Sequence, residues 1–132
     1  DKSVSVQKEY SLKWKEGARV LVAEDESINQ QIITRILRNL KIDYKLVGNG
    51  QEVLDEMENT HYDLILMDMQ MPILDGISTT IEIRKKRSFH DPIIVAVTAN
   101  AMKEDRDRCI DSGMNDFLTK PYVVDDIRKM LV

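Results

Sequence analysis

The 132-residue sequence is short of the residues that small proteins use as staples. It has one cysteine, Cys109, which excludes an internal disulfide framework and every cysteine-rich zinc pattern. Its two histidines are too few for a multi-histidine metal site. Aromatic residues make up only 5% of the chain, little material for stacking a flavin ring. No apolar run approaches the roughly 18 residues of a membrane span, and no signal-peptide pattern opens the chain. Positive charge is not in excess: 19 basic against 23 acidic residues give a net charge of −4, which argues against a nucleic-acid-binding surface. There is no internal repeat and no low-complexity tract. What is present is an apolar fraction of 42%, too high for wholesale disorder, in a length that suits one domain. A chain of this size buries about 70% of its unfolded surface and folds without a staple.

Residues 1–17 read differently from the rest. They scatter Lys2, Lys8, Lys13 and Lys15 among apolar residues without helical periodicity, and are expected to be a linker or N-terminal extension, with Trp14 available for docking. From Ala18 the chain alternates. Arg19 to Ala23 is an apolar run that stops at Glu24-Asp25. Ile28, Ile32, Ile33, Ile36, Leu37 and Leu40 form a helical stripe. Tyr44 to Val47 is a second strand, closed by a turn at Gly48-Asn49-Gly50, and Val53, Leu54 and Met57 mark a second helix. Leu64 to Met67 runs into Asp68; after a loop, Ile77 and Ile81 begin a third helix. Ile93 to Val97 stops at Thr98, and a polar helix from Glu104 to Asp111 ends at Gly113, a common helix terminator. Phe117-Leu118 is a fifth strand, and Val123 to Leu131 a last helix with Ile127 and Leu131 inward. The third and fourth strands are apolar throughout, as strands buried on both faces are. The expected fold is α/β: a doubly wound, five-stranded parallel sheet of flavodoxin-like order 2-1-3-4-5 with five helices.

In such a sheet the strand ends share one edge. Glu24 and Asp25 follow strand one, Asp68 ends strand three, Thr98 ends strand four and Lys120 follows strand five. Strands one and three meet at the switch point, where open α/β sheets bind ligands. Three carboxylates, one hydroxyl and one ammonium would converge there. Close carboxylates disfavour joint ionisation unless a cation sits among them. An all-oxygen ligand set suits a hard ion such as Mg²⁺ or Mn²⁺. A carboxylate beside that cation can act as a nucleophile toward phosphorus. The charge of a phosphoryl group in transit is then met by Lys120, by the metal and by the Thr98 hydroxyl. Asp68, standing alone at the end of a central strand, is the expected nucleophile.

Four motifs, Glu24-Asp25, Met67-Asp68-Met69-Gln70-Met71-Pro72-Ile73-Leu74-Asp75-Gly76, Thr98-Ala99-Asn100-Ala101 and Phe117-Leu118-Thr119-Lys120-Pro121, together resemble the receiver domain of two-component response regulators. The resemblance spans about Arg19 to Val132. The Glu-Asp pair, Asn29 and the Thr-Ala-Asn-Ala run are most similar to receivers of hybrid sensor histidine kinases. It implies that residues 18–132 are a phosphoacceptor receiver, self-phosphorylating and self-dephosphorylating. Asp68 would take the phosphoryl group from a phosphohistidine. Asp25 would ligate Mg²⁺ directly, Glu24 mainly through water, and the Gln70 backbone carbonyl would complete the protein ligands. Lys120 would pair with the phosphoryl group. Thr98 and Phe117 would be the switch pair, Gln70 and Asn100 would tune hydrolysis, and Lys120-Pro121 would be a cis peptide. Many family members have Asp at the position of Glu24, and Phe117 lacks the hydroxyl of the Tyr often found there. The implied partner is a histidine kinase core or a His-containing phosphotransfer domain docking near the first helix. Nucleic acid and membrane are not expected to touch this domain. The expected location is cytoplasmic, with a parent that is either a hybrid kinase, itself free to be membrane-anchored, or a stand-alone regulator.

The alternative is a pseudo-receiver, or a flavodoxin-like binding module, using the fold without phosphorylation. The smaller motifs have plainer readings. Gly48-Asn49-Gly50 lacks the third glycine of a dinucleotide-binding loop. Asp25 to Asn29 opens like a calcium loop but has Gln30 at the turn glycine and Ile36 at the bidentate acid. Arg84-Lys85-Lys86-Arg87 reads as a solvated helix end complementing the dipole. His61 and His90 read as surface residues, Met67, Met69 and Met71 as core and loop, and Glu24-Asp25 has a competing role as a helix cap.

Overall fold

The computed structural model describes residues 18–86, 91–99 and 102–131. Ten elements alternate strictly: β1 (Arg19–Ala23), α1 (Ser27–Asn39), β2 (Asp43–Val47), α2 (Gly50–Asn59), β3 (Leu64–Asp68), α3 (Gly76–Lys85), β4 (Ile93–Thr98), α4 (Lys103–Ser112), β5 (Asp116–Thr119) and α5 (Val124–Leu131). The strands form one sheet in the order β2-β1-β3-β4-β5, every pair parallel. This is the expected flavodoxin-like arrangement.

Side-chain alternation along the central strands builds the two sides of the core. Leu21, Ala23, Ile65, Met67, Ile94 and Ala96 pack with Val53 and Met57 of α2, Ile83 of α3 and Cys109 of α4. The intervening residues Val20, Val22, Leu64, Leu66, Val95 and Val97 pack with Ile33, Ile36 and Leu37 of α1 and with Ile127 and Leu131 of α5. Both sides of β3 are therefore apolar, and all five of its residues are buried. The edge strands β2 and β5 are covered less and mix polar with apolar residues.

Local chemistry sets the helix ends. Asn49 accepts a hydrogen bond from the Glu52 amide at 2.9 Å and caps α2, so Gly48-Asn49-Gly50 is half turn and half helix start. Asp75 caps α3 through the Ser78 amide at 2.8 Å. Gly113 ends α4 at φ 115°, a left-handed conformation that favours glycine. The cap of α1 is Glu26 and its side chain makes no capping bond, so Glu24-Asp25 is not a helix cap.

Three expectations need correction in detail. The stripe on α1 stops short of Ile28, which is 67% exposed. Ile81 of α3 is exposed, and the face that α3 buries is Gly76, Thr79, Thr80 and Ile83, where small side chains let Thr79 lie against Gly50 of α2 and Thr80 against Gly113. Arg84 is not a solvated helix end. Its guanidinium reaches the Gly113 and Pro92 carbonyls and the Asn115 side-chain oxygen, each at 2.9 Å, and pairs with Asp91 at 2.7 Å. It ties the end of α3 to the α3–β4 and α4–β5 connections. His61 is exposed, as expected, and lies 3.2 Å from Asp63. Residues 1–17, Arg87, His90, Asn100 and Ala101 lie outside the described residues.

Candidate functional site

Register brings the polar groups together. Ala23 pairs with Met67, Asp68 with Val97, and Thr98 with Thr119. Each apolar run ends at the same edge of the sheet, so the next side chain emerges into one crevice. The crevice is about 810 Å³, is lined by Asp25, Asp68, Gln70, Thr98 and Lys120, and runs past Asp75 to Asp105 and Arg108 of α4.

At its floor, one ligand oxygen from each of Glu24, Asp25 and Asp68 lies within 4.8 Å of the others. Glu24 is wholly buried, Asp68 is 3% exposed and Asp25 faces solvent. The Asp68 Oδ1 accepts from the Gln70 amide at 3.1 Å, and its Oδ2 accepts from the Lys120 Nζ at 3.0 Å. Lys120 also reaches the Glu24 Oε2 at 3.4 Å. The same Glu24 oxygen accepts from the Glu26 amide at 3.3 Å and from the Asn29 amide nitrogen at 3.5 Å. The other Glu24 oxygen, Oε1, accepts from the Tyr122 hydroxyl at 2.9 Å.

The electrostatics follow from this crowding. Burial pushes the Asp68 carboxyl above the usual aspartate range, and the Glu24 charge adds to it, against the pull of the Gln70 amide and Lys120. Burial works against the Lys120 ammonium, but its bond to Asp68 and the two carboxylate charges outweigh it and hold Lys120 above its ordinary value. Burial and the adjacent Glu24 push the Tyr122 phenol far upward, so it is a neutral donor. The three carboxylates against one ammonium leave a negative site of oxygen donors, which matches the ligand preference of a hard divalent cation.

The expected site residues divide cleanly. Glu24, Asp25, Asp68 and Lys120 meet, and Gln70 and the half-buried Thr98 line the same crevice. Lys120-Pro121 is cis. Phe117 does not line the crevice; it is half-buried against the core, with the Arg106 guanidinium of α4 5.4 Å from its ring centre. Asn100 lies outside the described residues. Tyr122 was not anticipated. The one signal for it was a tyrosine two places beyond Lys120, in a turn where a phenol is otherwise easily read as exposed. Cys109 is buried against the Met69 sulfur, and burial pushes its thiol up, so it offers no reactive thiolate.

Residues 20–132 match the family model of the response regulator receiver domain. The chain is 42% identical over 120 residues to hybrid signal transduction histidine kinase K of Dictyostelium discoideum, a match covering 86% of this chain and 10% of that protein. It is 35% identical over 119 residues to the transcription factor SKN7 of Saccharomyces cerevisiae, covering 89% of this chain and 19% of SKN7. The chain thus spans a tenth of the kinase and about a fifth of SKN7. Among solved structures it is similar to the receiver domain of the sensor histidine kinase PA1611 from Pseudomonas aeruginosa, which carries a magnesium ion in its active-site cleft. There the TM-score is 0.80 and the identity 40%, over 87% of this chain and 94% of that one. It is also similar to the Saccharomyces cerevisiae receiver domain of Ssk1, solved with the histidine phosphotransfer protein Ypd1. That match has a TM-score of 0.79 and 39% identity, over 86% of each chain. Sequence, fold and the converging acids agree, and the chain belongs to the response regulator receiver domain family of two-component signalling.

Proposed function

We propose that residues 18–132 are a phosphoacceptor receiver that takes a phosphoryl group from a phosphohistidine onto Asp68. Residues 1–17 are then a linker or extension ahead of it, in keeping with a family match that begins at residue 20. The observation that carries the reading is the Asp68 carboxylate, almost wholly buried, held between the Gln70 amide and Lys120 and within ligand distance of Glu24 and Asp25. Asp25 and Asp68, with Glu24 through water and the Gln70 carbonyl, would hold Mg²⁺, or Mn²⁺ in its place. When bound, the metal would offset the carboxylate charge and the charge on the phosphoryl oxygens.

An Asp68 oxygen attacks phosphorus as the phosphorus–nitrogen bond to the imidazole breaks, and the bonding pair returns to the ring nitrogen. The product is an aspartyl phosphate. Lys120 follows the charge from carboxylate to phosphoryl oxygen, and the Thr98 hydroxyl donates to another oxygen. Binding of that hydroxyl to the new group would draw Thr98 inward and let Phe117 follow, biasing a two-state equilibrium at the face of α4, β5 and α5. The donor would be a histidine kinase core or a His-containing phosphotransfer protein; the Ssk1–Ypd1 pairing of a relative supports the second. The small-molecule donors acetyl phosphate or phosphoramidate, with Mg²⁺, should add one phosphoryl group, acid-stable and base-labile. Asp68→Asn should take up none; labelling of that variant at the wild-type rate would sink the assignment.

Gln70 faces the crevice two residues beyond Asp68, and Asn100 stands two residues beyond Thr98. Exchanging either is expected to change the phosphoryl lifetime more than about tenfold, which corresponds to about 1.4 kcal/mol in the hydrolysis barrier. Unchanged decay in both exchanges would contradict this. The competing pseudo-receiver would bind no Mg²⁺, so a titration separates the two. A flavin-binding module finds no aromatic side chain among the described residues of the crevice lining on which to stack its ring.

A further inference from the structure

Glu24 is an unusual occupant of its place. Its carboxylate is wholly buried, one methylene longer than an aspartate, and beside two other acids. Left to itself, such a side chain has several ways to turn. Its four donors among the described residues are unequal. Three of them, Lys120, the Glu26 amide and Asn29, share Oε2 at 3.3 to 3.5 Å, long and weak contacts. Among the described residues, Tyr122 alone holds Oε1, and it does so at 2.9 Å. The phenol is itself fixed: Tyr122 is 7% exposed and packs with the core on the α1 and α5 side of the sheet.

We propose that Tyr122 is a positioning residue of the metal site, its hydroxyl anchoring Oε1 of Glu24 so that Oε2 is presented toward Asp25, Asp68 and the cation. The inference rests on the reading of Glu24 as part of a divalent-cation site given above. Two features suit Tyr122 to the task. A phenol donates without bringing positive charge, so it orients Glu24 and leaves the negative charge of the cluster intact for the cation. A lysine or arginine at the same place would neutralise that charge and compete with the metal. And the hydroxyl bonds Oε1 and not the Oε2 that Lys120 and the Glu26 amide approach, so it restrains rotation without occupying Oε2. Partners that orient a metal ligand typically matter about tenfold or more for metal affinity.

The test is a Mg²⁺ titration of the whole chain by calorimetry or amide chemical shifts, on wild type, Tyr122→Phe, Glu24→Asp and the double variant. Tyr122→Phe should weaken Mg²⁺ binding about tenfold in the wild-type background. With Glu24→Asp, the shortened carboxylate is withdrawn from the hydroxyl, and the same change should cost less than about twofold. An unchanged affinity in Tyr122→Phe overturns the inference. So does an equal loss in both backgrounds, which would mean that Tyr122 acts through packing alone. Absence of Mg²⁺ binding by the wild type would overturn the metal-dependent function and this inference with it, so the two failures are distinguishable. Should Tyr122→Phe fail to fold, the wild type carries the test: the Tyr122 Cζ resonance should shift along the Mg²⁺ titration with the midpoint of the Gln70 amide. A stationary Tyr122 resonance while that amide moves overturns the inference.

Discussion

Asp68 binds its proton more tightly in the folded protein than in the unfolded chain, because burial and Glu24 raise it above the ordinary value of 3.8. The native state therefore holds more protons than the unfolded state between that value and the raised one, and stability falls as pH rises through this window. The deficit persists at pH above the raised value, where the carboxylate is ionised in both states. Without divalent cations, Asp68→Asn should melt higher than wild type at pH 7, and the difference should shrink as pH is lowered through 4. Added Mg²⁺ should narrow it as well, by stabilising the wild type more. A cation-free Asp68→Asn protein that melts lower than wild type at pH 7 would show that the Lys120 bond outweighs the cost of burial. At this scale the acids and the lysine were legible in the sequence because each interrupts an apolar run: Glu24-Asp25 after Val20 to Ala23, Asp68 after Leu64 to Met67, Lys120 after Phe117-Leu118. Tyr122 was not legible, since nothing in a Lys-Pro-Tyr turn tells that its ring folds under the sheet edge to meet a residue 98 positions away.

Elements position these residues through close approaches rather than through bulk. The first residue of α3, Gly76, lies against the end of β3. A Cβ built there would stand 2.5 Å from the Asp68 carbonyl oxygen and 3.1 Å from the Met69 Cα. Both are backbone atoms, so neither can step aside without moving Asp68. Gly76→Ala should therefore destabilise the fold by about 1–3 kcal/mol in chemical denaturation, despite alanine's better helix propensity. It should also slow phosphoryl uptake. A stability equal to or above wild type would show that the β3–α3 connection yields freely. Helices could be placed from periodicity and the central strands from unbroken apolar runs, as with β3 and β4. The faces of α3 and the role of Arg84 could not. On α3 only Ile83 of the buried residues is a large apolar side chain; Gly76, Thr79 and Thr80 are small or polar and carry no hydrophobic signal. Arg84 sits in a run of four basic residues, and only the folded chain shows that it turns inward to the carbonyls of Gly113 and Pro92. Phe117 belongs to this scale too. Its ring lies under Arg106, whose Nε is buried without a hydrogen-bond partner among the described residues, so any motion of β5's aromatic must disengage this contact with α4.

Across the whole molecule, topology does the work that sequence distance hides. The order β2-β1-β3-β4-β5 puts β1 beside β3 at the point where the chain reverses its direction of growth, and the site opens there. Two opposed apolar layers bury β1, β3 and β4 from both sides and leave their polar ends as the place where function can vary. No helix among the described residues is long and apolar enough to cross a membrane. The central claim is that this arrangement exists to make one carboxylate, Asp68, a phosphoryl acceptor. Borohydride reduction of the acyl phosphate followed by peptide mass spectrometry tests it most directly. After incubation with phosphoramidate and Mg²⁺, the reduced product should map to residue 68 alone and vanish when Mg²⁺ is chelated. Reduction mapped to Glu24 or Asp25, or no reduction at any carboxylate of a folded, Mg²⁺-loaded protein, would contradict the account.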